Sequence, residues 1–128
     1  MNAAIPYQLQ AEARRYGFDD PEPVFALHSL AEWAAGSGYR ITGESAIIAP
    51  SRTRPVGRAL VFAADRYAYL VQLMSEPLHL FLKARASEHS MAFYVGFWVD
   101  GLTEGSWEAL KGKVLAMESG KPKPLRAG

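Results

Sequence analysis

The segment Pro77–Gly101, PLHLFLKARASEHSMAFYVGFWVDG, alternates side-chain character through two runs joined by a polar link. Alternation of this kind marks a half-buried strand, because successive side chains project to opposite faces. In the first run Leu78, Leu80, Leu82, Ala84 and Ala86 share one face, and His79, Phe81, Lys83 and Arg85 the other. In the second, Phe93, Val95, Phe97 and Val99 alternate with Tyr94, Gly96, Trp98 and Asp100. Ser87-Glu88-His89-Ser90 lies between them, a link of the length hairpins use. With those residues as the loop, Ala86 falls opposite Met91. Leu82 then faces Val95, Leu80 faces Phe97 and Leu78 faces Val99. The second face pairs Lys83 with Tyr94, Phe81 with Gly96 and His79 with Trp98. A slip of one residue would carry Lys83 into the core.

Outward from this hairpin, Arg58–Met74 is so apolar that periodicity does not assign it. Read as strands, it is RALVFAA, a turn at Asp65-Arg66, then YAYLVQLM. Val61, Phe62, Tyr67, Tyr69 and Val71 favour that reading. Its alanines, and the lack of any glycine or proline in the run, favour a helix, which is the expectation adopted. Tyr39–Ala49 reads as a small hairpin turning at Gly43-Glu44, and Pro50–Gly57 as a loop. Helices are expected over residues 5–16, with Gly17 as the stop, over about 21–35 behind Asp19-Asp20-Pro21, and over about 106–117. The predicted fold is α+β: an antiparallel sheet built on the central hairpin (about 77–100), with helices from both chain ends packed on one face. Residues 1–118 form one compact domain, and 119–128, rich in proline, glycine and positive charge, form a flexible basic tail.

Composition narrows the class. Of 128 residues, 49% are hydrophobic and 21% charged, which fits a globular domain rather than a disordered chain. The lack of cysteine excludes disulfides, thiolate metal sites and cysteine nucleophiles, and it suits a reducing compartment. No apolar run approaches the roughly 18 residues of a membrane span, and the start of the chain has no secretory pattern, so a cytoplasmic protein without membrane contact is expected. Arginine outnumbers lysine nine to five, which points to a high-GC bacterial source. The net charge of +1 conceals segregation. Residues 39–66 and 111–128 are basic, whereas 1–38 and 67–110 are acidic, a pattern that favours self-association or an oppositely charged partner.

Phosphate-binding, dinucleotide-binding and nucleophile-elbow motifs are absent. His28, His79 and His89 are too dispersed for a zinc-ligand pattern, and no metal or cofactor is expected. Ser87-Glu88-His89-Ser90 holds a nucleophile, a carboxylate and a base, but adjacency does not give the geometry of a triad, and a polar loop explains it. Two surfaces are candidate sites. His79, Phe81, Lys83, Tyr94 and Trp98 form an aromatic and cationic face suited to a protein partner, unless a helix covers it. Arg40, Arg52, Arg54 and Arg58 form a second group, whose planar forks match phosphates and carboxylates, unless nearby acids neutralise them. The primary expectation is a non-catalytic protein-binding module, an adaptor, chaperone, inhibitor or assembly subunit, whose partner is another protein or a second copy. Nucleic-acid or phosphate binding through the arginines is the alternative. An enzyme with a site assembled from dispersed residues is the third reading.

Overall fold

The computed structural model describes residues 7–48, 55–86 and 94–120, with Tyr94–Gly96 and Asp100 described by their backbone. Helices α1 (Tyr7–Arg15) and α2 (Glu22–Gly36) precede strands β1 (Arg40–Ile48), β2 (Pro55–Ala63), β3 (Ala68–Ser75), β4 (Leu78–Arg85) and β5 (Tyr94–Asp100), and α3 (Glu104–Glu118) follows. The strands form one antiparallel meander in the order β1-β2-β3-β4-β5. This is the α+β architecture predicted, with helices from both ends of the domain on one side of the sheet. The loop at Ser87–Ser90 and residues 121–128 of the expected tail lie outside the described residues.

The core lies between the sheet and the helices. Leu60 and Phe62 of β2, Tyr69, Val71 and Leu73 of β3, and Leu80, Leu82 and Ala84 of β4 are all buried. They pack against Val24, Leu27, Leu30 and Ala34 of α2 and against Trp107, Leu110 and Val114 of α3. An aromatic chain runs through this layer. Tyr39 stacks on Phe62 at 5.9 Å, and Phe62 on Tyr69 at 5.2 Å.

Four local features differ from the sequence reading. Pro55–Gly57, expected to end a loop, open β2, while residues 50–54 of that loop lie outside the described residues. Residues 58–74 are not a helix: they supply β2 and β3 around the Asp65-Arg66 turn. The core residues recur there with period two; of the four alanines that suggested a helix, Ala59, Ala63 and Ala68 line the opposite face, and Ala64 sits in the turn against the core. Tyr39–Ala49 is not a hairpin. Gly43 and Glu44 pair with Val61 and Leu60 within one continuous strand, and an irregularity between Ile41 and Gly43 absorbs the extra residue. Finally, β4 and β5 pair two residues further along than expected, with Leu82 opposite Phe97, Phe81 opposite Trp98 and His79 opposite Asp100. An even shift preserves the faces. Beyond it, a bulge at Leu82/Lys83 places Val95 opposite Lys83 and Tyr94 opposite Ala84.

Helix C-termini follow the expected chemistry. Gly17 and Gly38 hold positive φ after α1 and α2, and the Phe18 and Tyr39 amides reach back to the carbonyls of Ala13 and Ala34. At the start of α2 the expected acidic N-cap is displaced: Pro21 holds that position, and Asp20, one residue ahead of it, accepts the Glu22 amide at 3.0 Å. Gly57, in the middle of the sheet, has another reason to be glycine: a Cβ there would collide with the Leu73 carbonyl of β3. Gly57→Ala is therefore expected to cost about 2 kcal/mol, the scale of overpacking a filled interior, read as a lower urea midpoint with an unchanged slope.

Candidate functional site

Because the strands alternate, the sheet has a second face, and no described helix packs on it. Register arranges that face in rows across the strands. Ile47, Gly57, Met74, His79 and Asp100 make one row, and Ser45, Ala59, Gln72, Phe81 and Trp98 the next. Gly43, Val61, Leu70 and Lys83 follow, then Arg40, Ala63, Ala68 and Arg85. Small residues of β2 keep the floor low. Ala59 and Ala68 are buried between taller neighbours, while Val61, Leu70, Met74 and Phe81 are half-buried.

Aromatic rings rise from this floor at the β4–β5 side. The Phe81 and Trp98 centroids are 4.7 Å apart, and His79 meets Phe81 edge-on at 5.0 Å. The His79 Nδ1–H donates to the Pro77 carbonyl at 2.7 Å, which fixes the ring. Lys83 Nζ lies 5.5 Å from the Phe81 centroid, within cation–π range. Trp98 is 59% exposed. His79, Phe81, Lys83 and Trp98 are therefore brought together, in a register that puts Trp98 beside Phe81 rather than His79. Tyr94 pairs with Ala84, a residue of the helix-facing row, and its side chain is outside the described residues.

The arginine group is not assembled in the same way. Arg40 begins β1 on the open face, opposite Ala63, whereas Arg58 points to the helix side. Arg58 donates to Glu12 of α1 at 2.7 Å and to Glu44 of β1, and it lies 4.6 Å from the Tyr16 centroid. Burial lowers its pKa, but the hydrogen bond to Glu44 and the charge of Glu12 outweigh this and hold it above the usual arginine value. Arg58 is thus engaged by acids of its own chain. Arg52 and Arg54 lie outside the described residues.

A polar cluster that sequence reasoning missed sits at the C-terminal end of α3. The Glu118 carboxylate accepts the Arg66 amide at 2.9 Å, the Tyr67 amide at 3.1 Å and the Tyr69 hydroxyl at 2.8 Å. It ties the helix to the β2–β3 turn. Burial, then the hydrogen bond and charge of Glu118, push the Tyr69 hydroxyl well above the ordinary tyrosine value. Tyr39 is also raised, by burial and then by Glu118 and Asp65. The missing signal was the strand assignment of residues 58–74, without which nothing relates Glu118 to Tyr69.

An open cleft of about 450 Å³ lies between the α1–α2 link and the β3–β4 turn, lined by Arg14, Asp19, Asp20, Ser75 and Glu76 among others. Among the described residues no group of histidines or carboxylates is arranged to hold a metal ion. No described helix is long and apolar enough to cross a membrane. Comparison with known protein families, with curated proteins and with solved structures finds no match.

Proposed function

We propose that this chain is a non-catalytic protein-binding module that takes its partner on the open face of the sheet. One observation carries the reading: Trp98 is largely exposed yet packed on Phe81, on a sheet face that no described helix covers. Large exposed aromatics cost solubility, and contiguous apolar surface of this kind usually marks an interaction site. Tryptophan is also among the residues most often responsible for interface affinity. The sheet does not depend on Trp98 for its core, which lies on the other face. Arg58, held by Glu12 and Glu44, gives little support to the nucleic-acid alternative. The proposal takes the setting to be the cytoplasm, which a cysteine-free chain suits.

The test is affinity capture from cells expressing the tagged chain, comparing the native protein with Trp98→Ala. The variant should keep its unfolding midpoint to within about 1 kcal/mol, as surface substitutions do. It should lose the captured partner, because truncating a central aromatic anchor costs about 2 kcal/mol or more of binding. Undiminished capture by the folded variant would refute the reading.

A further inference from the structure

The open face has a step in it. Its half on β1 and β2 is low, built largely from Gly43, Ser45, Ala59 and Ala63, with Ile47 and Val61 as its larger apolar members. Its half on β4 and β5 is high, with His79, Phe81, Lys83 and Trp98. Strand β3 runs along the foot of the step and adds Leu70, Gln72 and Met74. The charges of the face are largely matched already. Arg40 and Arg85 are engaged within the chain, exposed Asp65 borders their row, and Asp100 lies at the opposite end. We infer that the occupant of this face is a second copy of the chain, packed sheet to sheet about a two-fold axis that runs along β3. This rests on the reading of the open face as a binding surface.

Shape and size select this occupant. An axis along β3 lays β4 and β5 of each copy over β2 and β1 of the other, so high ground meets low. Phe81 comes over Ala59, and Trp98 comes towards Ser45, because all four share one row. Lys83 comes over Val61 rather than over its own copy, so its stem lies on apolar surface while the ammonium reaches solvent. The other two-fold, running across the strands, would set β4 and β5 of the two copies against each other, high on high. Packed sheets cross at about 30°, which keeps these pairings near the axis. Five strands about 4.8 Å apart, and rows spanning about seven residues, make a face of roughly 24 by 24 Å. Two such faces together bury on the order of 1,200 Å², the lower bound for a stable specific interface. A single helix, about 10 Å wide, would cover less than half of that width.

The test is sedimentation equilibrium of the full chain from about 1 to 200 µM, the range expected at the small end of interface sizes. The native chain should pass from monomer to dimer across that range. Ala59→Arg, which raises the low ground, should stay monomeric throughout. Trp98→Ala should weaken the dimer at least about a hundredfold, because each change enters a two-fold interface twice. Thermal unfolding in the dilute, monomeric range confirms that each variant folds, and Trp98→Ala carries the test alone if Ala59→Arg does not. The chain has no cysteine, so a short bismaleimide reads the geometry. Gln72→Cys, on the axis, should link copies efficiently, and His28→Cys, exposed on α2, should not. A monomer at every concentration would overturn the second copy, and capture with Trp98→Ala would then decide separately whether the face binds another protein. A dimer that survives both substitutions, or equal linking of Gln72→Cys and His28→Cys chains, would overturn this interface even though copies associate.

Discussion

Arg58→Ala is expected to destabilise the protein by about 2 kcal/mol, below the roughly 3–5 kcal/mol of a fully buried pair because Glu12 and Glu44 stay partly hydrated, and above an exposed surface pair because Arg58 itself is mostly covered. The Arg58 side chain is 15% exposed, and its partners Glu12 and Glu44 are 29% and 44% exposed. Truncation leaves two carboxylates facing each other across a gap, with water reaching them only in part. It also removes the cation from the Tyr16 ring. The damage should be local in origin, because Glu12 is what ties α1 to the sheet, and α1 contributes a single buried residue, Ala13, to the core. Hydrogen exchange should therefore show α1 amides losing protection first, while β3 and β4 keep theirs until global unfolding. Arg58→Lys keeps the charge but not the two-pronged donor, and should recover less than half of the loss. Urea unfolding checks both magnitudes. Wild-type stability in Arg58→Ala would mean that α1 is held by something other than this network.

Glu118→Ala should cost about 2–3 kcal/mol at neutral pH, because it leaves the Arg66 and Tyr67 amides and the Tyr69 hydroxyl without their charged acceptor. The same cluster sets an alkaline limit. Below about pH 10 the Tyr69 hydroxyl is protonated in both the folded and the unfolded chain, and its contribution is fully present. Above that, the unfolded chain releases the proton while the folded chain, whose value is raised, retains it. Stability then falls as pH rises, by up to about 1.4 kcal/mol per pH unit for each such tyrosine. Tyr39 shifts in the same direction and adds to the slope. Tyr69→Phe should reduce the slope above pH 10 without removing it, and Tyr39→Phe with Tyr69→Phe should nearly flatten it. Chemical denaturation at pH 9, 10 and 11 measures this, and an unchanged slope in the double variant would contradict the assignment.

The fold was legible where side chains alternate or repeat against a contrasting face. The β4–β5 hairpin separates Leu80 and Leu82 from Phe81 and Lys83, and α2 separates Leu27 and Leu30 from Glu32, so a period shows. It was illegible in residues 58–74, where Leu60, Phe62, Val71 and Leu73 face the core and Ala59, Val61, Ala63 and Leu70 face the other way. Both faces are apolar there, so the period disappears, and alanine mimics a helix while building a flat strand surface. Gly43-Glu44 resembled a turn because neither residue favours a strand. Register and the Arg58 partner on the neighbouring strand override that preference. At the candidate site, the grouping of His79, Phe81, Lys83 and Trp98 follows from alternation alone. The position of Tyr94 does not, because the bulge that sets it depends on how β5 meets β4. Arg58 was read as the first residue of a helix, grouped with the arginines of the preceding loop; its place in a strand turns it towards Glu12 and Glu44.

Everything proposed for this chain depends on the second face of the sheet being open in the monomer. The direct measurement is solvent paramagnetic relaxation in the methyl-labelled, monomeric Ala59→Arg chain, using a soluble gadolinium chelate. The Val61, Leu70 and Met74 methyls and the Trp98 indole, assigned through Trp98→Phe, should relax several-fold faster than the Leu60, Val71, Leu80 and Leu82 methyls of the helix-facing side. Equal protection of the two sets would mean that the face is covered even there, and would contradict the binding surface and the partner inferred for it.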